Sequence, residues 1–376
     1  MSTATRSIRL GIIGTGLAVQ KLHWPALSRL TDQFEIVAFA NHTRPKAEHF
    51  SGYSGVSMDR YHEDYHALLA REDVDAVLIS LPIGLTYTVT REALEAGKHV
   101  ICEKPAGANL GEAYEFIELG KRFPDRVVVV AENWFYRDDL RFARTLLDAG
   151  RIGGLRLVSW RSVGQLIPRD DQFSSTPWRH HIDYEGGAHL DGGVHHIAEI
   201  RLLVGDADRL QAEVQDANST HDGPSIMTMN LRFVDGAIGN YTASYPEIPA
   251  VDEPNELRIY GTDGQLVLAR NEVRLALADG TAERYAITQR DGGYYNEFLD
   301  FHDAVVFGTT PVATIEQSFR NMELVLLGLE SARDGEVKRP DPSIGPLAGR
   351  QAVPLWIPRN ADAPFDGVDV TIDRVS

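Results

Sequence analysis

The alternation of short apolar runs with helical segments in the first third of the chain constrains its fold more than any other feature. Five runs rich in Val and Ile are separated by segments whose apolar residues recur at helical spacing. The runs lie at residues 10–13, 34–40, 76–80, 99–102 and 127–131, with helices expected at 21–30, 44–50, 65–70, 87–96 and 110–122. Such alternation is typical of a parallel sheet covered on both faces by helices. Residues 1–132 are therefore predicted to form a doubly wound α/β domain.

The pattern changes after residue 133. A helix over residues 139–149 leads into strand-like runs, and two Asp-Gly pairs, at 235–236 and 263–264, are typical of hairpin turns. The runs lie at residues 155–160, 227–233, 237–245, 257–260 and 265–269, and three further helices are expected near 190–204, 295–307 and 315–332. From residue 339 the chain is rich in proline and is expected to be extended and irregular. Residues 133–376 are predicted to form an α+β domain with a largely antiparallel open sheet.

The overall charge limits the partners of this chain. A net charge of −17 repels phosphate backbones and anionic lipid headgroups, which disfavours nucleic acid and membrane surfaces. No apolar run approaches the roughly 18 residues of a membrane span, and the N-terminal residues do not resemble an export signal. The single cysteine, Cys102, lies in an apolar run, as is usual in a reducing compartment. A cytoplasmic location is expected.

A glycine motif at the end of the first strand predicts a dinucleotide site. The segment Gly14-Thr15-Gly16-Leu17-Ala18 lies between a predicted strand and a predicted helix. Gly14 permits the tight turn, and Gly16 lets the backbone approach a pyrophosphate at the helix N-terminus. The third glycine of the full motif is replaced by Val19. Because the motif is incomplete, an ordinary strand-to-helix turn is the alternative.

The end of the second strand bears on the choice of cofactor. An acidic residue that binds the ribose hydroxyls is usual there, but this chain has Asn41. The loss of a carboxylate removes repulsion against a 2′-phosphate, and His42, Thr43, Arg44 and Lys46 add donors and positive charge. NADP is therefore favoured over NAD. The alternative is that Arg44 and Lys46 are solvated residues of a first helical turn.

Two clusters of polar residues indicate catalysis. Glu103-Lys104-Pro105 follows the fourth predicted strand, at the carboxyl edge where ligands of doubly wound folds bind. The second cluster, within residues 185–199, spaces Asp191, His195 and Glu199 four residues apart. In a helix these three side chains would share one face.

Together these motifs resemble the Gfo/Idh/MocA family, the glucose-fructose oxidoreductase and inositol dehydrogenase family. The likeness extends from the glycine motif through Glu103-Lys104-Pro105 and Gly186-Gly187 to the Asp191-x-Gly193-x-His195 segment. It implies an N-terminal Rossmann domain and a C-terminal α/β domain whose open sheet builds homodimers or homotetramers. The implied reaction is hydride transfer between a nicotinamide cofactor and a secondary alcohol or ketone of a sugar, inositol or related polyol.

The resemblance assigns the catalytic roles to Lys104, Asp191 and His195. Oxidation of an alcohol requires a base for the hydroxyl proton, expected to be His195, and a cation beside the oxygen, expected to be Lys104. Asp191 would orient the substrate hydroxyl and support a charged neighbour. Further cofactor contacts are expected from Leu81, Pro82, Glu103, Lys104, Asn133 and Arg179, and substrate contacts from Lys104, Tyr136, Trp178, Arg179, Asp191 and His195. For Tyr136 and its neighbour Trp134, simple interdomain packing is an equal alternative.

The chain departs from the family pattern at three places. Glu199 stands where aspartate is usual, and Ile83 and Thr86 replace the asparagine and histidine often found after Pro82. These changes affect the expected contacts to the nicotinamide more than the chemistry.

Three other functions fit parts of the sequence. His189, Asp191, His195 and His196 have types and spacings that suit a metal, although this leaves Lys104 and the glycines unexplained, so no metal is expected. The resemblance also allows a cofactor-binding regulatory protein without turnover. It allows, too, a glycoside hydrolase that retains NAD and oxidises its substrate transiently.

Overall fold

The computed structural model describes residues 6–164, 169–170, 172–217, 220–245, 253–288, 291–359, 361, 365 and 368–375. The chain divides into two compact units. The first contains the described residues up to Asn133 together with Tyr294–Phe319, and the second contains Trp134–Gly293 and the residues from Arg320 onward. None of the helices in these ranges combines the length and apolar character that a bilayer crossing requires.

The first unit contains a six-stranded parallel sheet with the strand order β3-β2-β1-β4-β5-β6. The predicted doubly wound fold is confirmed. Apart from the two-residue β3, its strands are largely buried runs of aliphatic and phenylalanine side chains, as expected when helices cover both faces. In chain order the elements are β1 (Ile8–Ile13), α1 (Trp24–Leu27), β2 (Phe34–Ala40), α2 (Arg44–Ser54), β3 (Tyr61–His62), α3 (Tyr65–Leu69), β4 (Ala76–Ile79), α4 (Ile83–Glu95), β5 (His99–Glu103), α5 (Leu110–Arg122) and β6 (Val128–Ala131).

The first crossover helix differs from the expected continuous helix over residues 21–30. It begins as a π-helix, Val19–His23, and continues as the short α1. Insertions of π geometry are often found at functional sites, because they redirect a side chain relative to a regular helix. Here the last residue of the π-helix, His23, is fully buried.

The second unit contains a nine-stranded sheet with the strand order β15-β14-β13-β12-β11-β7-β10-β9-β8. All neighbours pair antiparallel except β7 and β10, which confirms the largely antiparallel sheet. The elements are α6 (Asp138–Asp148), β7 (Leu155–Val163), α7 (Pro177–His180), α8 (Gly187–Asp191), α9 (Gly193–Leu203), β8 (Ala207–Gln215), β9 (Ile226–Phe233), β10 (Ile238–Ser244), β11 (Glu253–Gly261), β12 (Gly264–Ala269), β13 (Glu272–Leu277) and β14 (Ala282–Ile287).

Three elements complete the chain: α10 (Tyr294–Phe307), α11 (Ile315–Asp334) and β15 (Val370–Val375). The sequence assigned all of them to the second domain, but α10 packs within the first unit. Its Phe298 and Phe301 contact Phe34 of β2, with ring centroids 5.8 and 6.5 Å apart. Aromatic contacts of this kind bury large apolar areas, so the helix is part of the first core.

In its described part the proline-rich tail contains two short 3₁₀ helices, Pro342–Ile344 and Arg350–Ala352, within the irregular segment that the sequence predicts. Buried arginines of the second unit bind its backbone. Arg141 donates to the carbonyl of Trp356 at 3.1 Å, and Arg144 donates to that of Val353 at 3.2 Å. The tail ends in β15, which pairs with β14 and which the sequence did not predict. These bonds give the arginines partners inside the protein, where unpaired charges would be costly.

Candidate active-site residues

The glycine turn follows β1 in the first unit. Gly14 has φ +87°, and a Cβ on it would lie 2.2 Å from the carbonyl oxygen of Ser80, so only glycine fits. At Gly16 a Cβ would meet no heavy atom within 4 Å. Thr15 is buried, and its carbonyl accepts a bond from Gln20 of the π-helix at 2.8 Å. The remaining residues of the predicted motif are Leu17 and Ala18, and Ala18 is the N-cap of the π-helix.

The residues after β2 form a bonded loop. The Asn41 side chain donates to Oγ1 of Thr15 at 3.0 Å and accepts from the backbone N–H of Thr43 at 2.9 Å. Asn41 therefore connects the glycine turn to the N-terminus of α2. His42 is exposed, and Arg44 is exposed with its Nε 2.9 Å from Glu48.

Three more strands of this sheet end beside predicted site residues. Leu81 and Pro82 follow β4, and Pro82 is the N-cap of α4. Glu103 is the last residue of β5, and a cis peptide bond joins Lys104 to Pro105. Asn133 follows β6 and is buried. Since parallel strands end at one edge of a sheet, the structure brings these residues and the glycine turn to the same edge of the first unit.

In the second unit, Asp191 forms a two-pronged ion pair with Arg179. The Nε to Oδ2 distance is 2.6 Å and the Nη2 to Oδ1 distance is 3.2 Å. The guanidinium also lies over the ring of Trp178, 4.0 Å from its centroid. The sequence predicted all three residues but not this pairing, which joins two separate helices. A fork of this geometry fixes the orientation of the carboxylate.

The expected continuous helix from residue 190 to 204 is instead two helices that meet at Gly192. Asp191 ends α8, and His195 lies in the first turn of α9. Gly192 is the C-cap of α8 and the N-cap of α9, with φ −104° and ψ −36°. His195 and Glu199 thus share a helix, whereas Asp191 is positioned by a different one.

The ring of His195 is stacked on Trp134. Their centroids are 5.5 Å apart and the planes are tilted by 11°. Arg137 lies over the same indole at 4.5 Å and is itself paired with Asp139 at 2.6 Å. The sequence predicted that Trp134 lines the cleft, with interdomain packing as the alternative, and it gave no sign of the stacking on His195.

Tyr136, expected to contact substrate, is fully buried in the second unit. Its ring packs at 70° to that of Trp356, with the centroids 6.0 Å apart. This contact lies within the second unit, and the substrate contact expected of Tyr136 stays a prediction.

Next to His195, two further residues of α9 belong to a buried polar cluster that the sequence did not reveal. Glu199 accepts a bond from the indole N–H of Trp160 at 2.9 Å, and the same indole stacks on His196 with centroids 3.8 Å apart. Burial raises the pKa of Glu199 to about 7, opposed by the positive charge of Arg137. Burial also holds the pKa of His196 well below 6.5. His196 is therefore a neutral core residue at neutral pH.

The residues proposed above as an alternative metal set have other surroundings. His189 is fully buried, and burial lowers its pKa to about 4. Among the described residues, no three His, Cys, Asp or Glu side chains are grouped to hold a metal ion. Cys102 is also buried, which raises the pKa of its thiol to about 12.

Comparison with known proteins defines the class of both units. Residues 8–131 match the model of an oxidoreductase family with an NAD-binding Rossmann fold, and residues 140–267 match the GFO/IDH/MocA C-terminal domain. The chain belongs to the Gfo/Idh/MocA family of NAD(P)-dependent oxidoreductases, which confirms the resemblance seen in its motifs.

Several relatives cover most of the chain. A dTDP-3,4-didehydro-2,6-dideoxy-alpha-D-glucose 3-reductase of Streptomyces violaceoruber is 30% identical over 74% of this chain and 80% of its own length. The D-xylose 1-dehydrogenase (NADP(+)) 2 of Haloferax volcanii is 28% identical over 86% of this chain and 97% of its own. Among solved structures, an oxidoreductase of Thermotoga maritima has a TM-score of 0.81 and 30% identity, covering 89% of this chain and 98% of its own.

Proposed function

We propose that this protein transfers a hydride between NAD(P) and a secondary alcohol or ketone of a sugar, inositol or related polyol. The observation that supports the proposal is the local surroundings of each family-type residue set within its own unit. Lys104 follows β5 at the sheet edge that bears the glycine turn, and His195 is held on α9 by Trp134. The names of the two curated relatives, a sugar-nucleotide reductase and a D-xylose dehydrogenase, support a sugar substrate.

The residues of the first unit fit a dinucleotide. A Cβ at Gly16 would meet nothing within 4 Å, so the backbone of the turn has room for a close pyrophosphate. When bound, the nicotinamide would accept or donate the hydride. The N-terminus of the π-helix and the backbone of the glycine turn would hold the phosphates.

The chain's own residues manage the proton and the charge. In oxidation, His195 would take the hydroxyl proton on its imidazole while Lys104 hydrogen-bonds the oxygen and offsets its developing negative charge. Asp191, kept as an oriented carboxylate by Arg179, would accept a hydrogen bond from a neighbouring substrate hydroxyl. In reduction the same groups would return the proton to the oxygen.

The reaction is tested by screening sugars, inositols and sugar nucleotides for nicotinamide oxidation or reduction, and then by measuring two variants. Lys104→Ala and His195→Ala should each lower kcat by about a thousandfold because each removes a group that acts in proton transfer or charge stabilisation. Dinucleotide affinity, measured by tryptophan fluorescence, should change little.

The exposed Lys121 and His49 supply matched controls, Lys121→Ala and His49→Ala, with unchanged kcat. Full turnover in either active-site variant would remove that residue from the mechanism. Release of a sugar from a glycoside, without net change in nicotinamide absorbance, would identify a redox hydrolase instead.

We also propose that NADP is preferred to NAD. The side chain at the end of β2 is the neutral Asn41, already bonded to Thr15 and Thr43, and Arg44 is two-thirds exposed with Glu48 as its ion-pair partner. Arg44→Ala should weaken NADPH binding about tenfold, the loss of one charge-assisted contact, and change NADH binding little. Glu48→Ala should tighten NADPH binding, since it removes a competing carboxylate.

Fluorescence titration of both cofactors measures the preference, with the exposed Arg122→Ala as the control. Equal weakening of NADPH and NADH in Arg44→Ala would contradict a 2′-phosphate contact.

Self-association through the open sheet of the second unit is part of the same proposal. Leu157 of β7 and Ile238 of β10 are register partners, and they are 43% and 52% exposed. Neighbouring exposed aliphatic residues on a sheet face support an interface between copies of the chain. Light scattering of the purified protein measures its oligomeric state.

A further inference from the structure

A short hydrogen bond between His23 and Glu103 adjoins the proposed catalytic lysine. His23, fully buried, places Nε2 2.6 Å from Oε1 of Glu103. Glu103 is the last residue of β5, and Lys104 follows it directly. The contact therefore fixes the chain at the residue before Lys104.

The ring of His23 is held in one orientation. Tyr294 and Phe298 of α10 meet it edge to face, with centroids 5.3 and 5.7 Å away and planes inclined by 85° and 79°. Its other nitrogen, Nδ1, is buried and has no hydrogen-bond partner among the described residues. We therefore assign the Nε2 proton to the bond with Glu103.

Packing alone does not explain a histidine at this position. A leucine would fill an aromatic-lined space without burying an unpaired ring nitrogen, which is an unfavourable feature. What the leucine could not supply is the bond to Glu103. The polar contact is thus the property that distinguishes the histidine.

The same helical turn also contacts the glycine motif. His23 ends the π-helix Val19–His23, whose Gln20 donates to the carbonyl of Thr15 at 2.8 Å. The π-helix is therefore bonded through Gln20 to the predicted pyrophosphate site and through His23 to Glu103, the last residue of the strand before Lys104.

We propose that His23 is a positioning residue: through Glu103 it fixes the position of Lys104 relative to the glycine turn. This rests on the proposed function, because Lys104 is the residue whose position matters. It also gives Glu103 a role other than the cofactor contact that the sequence suggested. Glu103 precedes Lys104 in the chain and so sets its position, and the hydrogen bond from His23 holds Glu103 in place.

The test compares three variants of the whole chain: His23→Leu, His23→Gln and the exposed control His49→Gln. His23→Leu should lower kcat about 100-fold, as expected when a catalytic group is misplaced by about 1 Å. The Kd for NADPH should change less than about threefold, since the glycine turn is retained. His23→Gln keeps an N–H donor toward Glu103 and should recover most of kcat.

A second measurement needs no substrate. In His23→Leu the carboxylate of Glu103 loses its bond to the imidazole and can pair more closely with the ammonium of Lys104, so an amine-directed reagent should label Lys104 several times more slowly. Peptide mass spectrometry follows the labelling, and His23→Gln should restore the wild-type rate.

The outcomes separate this inference from the proposed function. If no wild-type turnover is found but labelling of Lys104 responds to His23 as expected, the proposed reaction fails and the positioning role stands. If wild type is active and His23→Leu keeps both kcat and the labelling rate, the positioning role is overturned. Parallel loss of kcat, NADPH binding and thermal stability, without rescue by glutamine, would show a structural role only and would also overturn it.

Discussion

The two units present their proposed site residues in different ways. In the first unit, the backbone places the glycine turn and Lys104 at one edge of a parallel sheet, because they follow β1 and β5 directly, and the proposed His23–Glu103 contact adds a side-chain partner for Lys104 alone. In the second, Asp191 and His195 lie on two short helices and are oriented by side chains from other elements, Arg179 and Trp134. The first arrangement should therefore be sensitive to changes in the backbone, and the second to the loss of side-chain partners.

The largest effect is expected from Gly14→Ala. Its Cβ would lie 2.2 Å from a backbone oxygen at φ +87°, so the first unit should lose about 4 kcal/mol or more of stability. The matched change Gly16→Ala meets nothing within 4 Å and should leave the free energy of unfolding within about 0.5 kcal/mol of wild type. It should nevertheless weaken NADPH binding at least tenfold, because the backbone could no longer approach the pyrophosphate closely.

Urea unfolding and fluorescence titration separate the two variants. If both destabilise the chain equally, or if Gly16→Ala binds NADPH normally, then backbone placement is not what distinguishes the first unit.

The same difference accounts for what could be predicted from the sequence. Strand ends, the glycine motif and Glu103-Lys104-Pro105 are local features, and five of the six strands of the first sheet followed from apolar runs. The pairs Trp160–Glu199 and Trp134–His195 join residues 39 and 61 positions apart, and no local pattern indicates them.

A similar reason explains why several strands of the second sheet were not predicted from the sequence. In β8, β13 and β14 buried residues alternate with exposed ones over part of each strand, for example Val273 and Leu275 of β13 on either side of the exposed Arg274. Such strands give no continuous apolar run and are recognised only when their partners are known. His23 was missed for a related reason: as one histidine within a helical segment, it gives no sign of Glu103, 80 residues away.

An intermediate effect is expected from the buried carboxyl under His195. Burial raises the pKa of Glu199 from 4.5 to about 7, so the folded protein binds this proton more tightly than the unfolded chain does. The contribution of Glu199 to the free energy of unfolding is largest below pH 4.5. It falls as the pH rises and no longer changes above pH 7. At about 1.4 kcal/mol per pH unit the total loss is about 3 kcal/mol.

Glu199→Gln keeps an acceptor for Trp160 but carries no such proton. Between pH 5 and pH 8, the free energy of unfolding of this variant should rise relative to that of wild type by most of the roughly 3 kcal/mol. Urea unfolding at both pH values measures the difference. The exposed Glu213→Gln of β8 is the control and should show no comparable change. A Glu199→Gln difference that is independent of pH would mean that the carboxyl is ionised in the folded protein.

The smallest effect tests the side-chain partners of the second unit directly. Arg179→Lys keeps the positive charge beside Asp191 but loses the two-pronged geometry, so kcat should fall about tenfold, equivalent to about 1.4 kcal/mol of transition-state stabilisation. Arg258→Lys is a matched control, because this arginine also donates twice to a carboxylate, that of Glu256, but is exposed. Its kcat should equal that of wild type. Equal turnover in both variants would show that a single charge suffices to orient Asp191, and the contrast between backbone and side-chain placement would then apply to His195 alone.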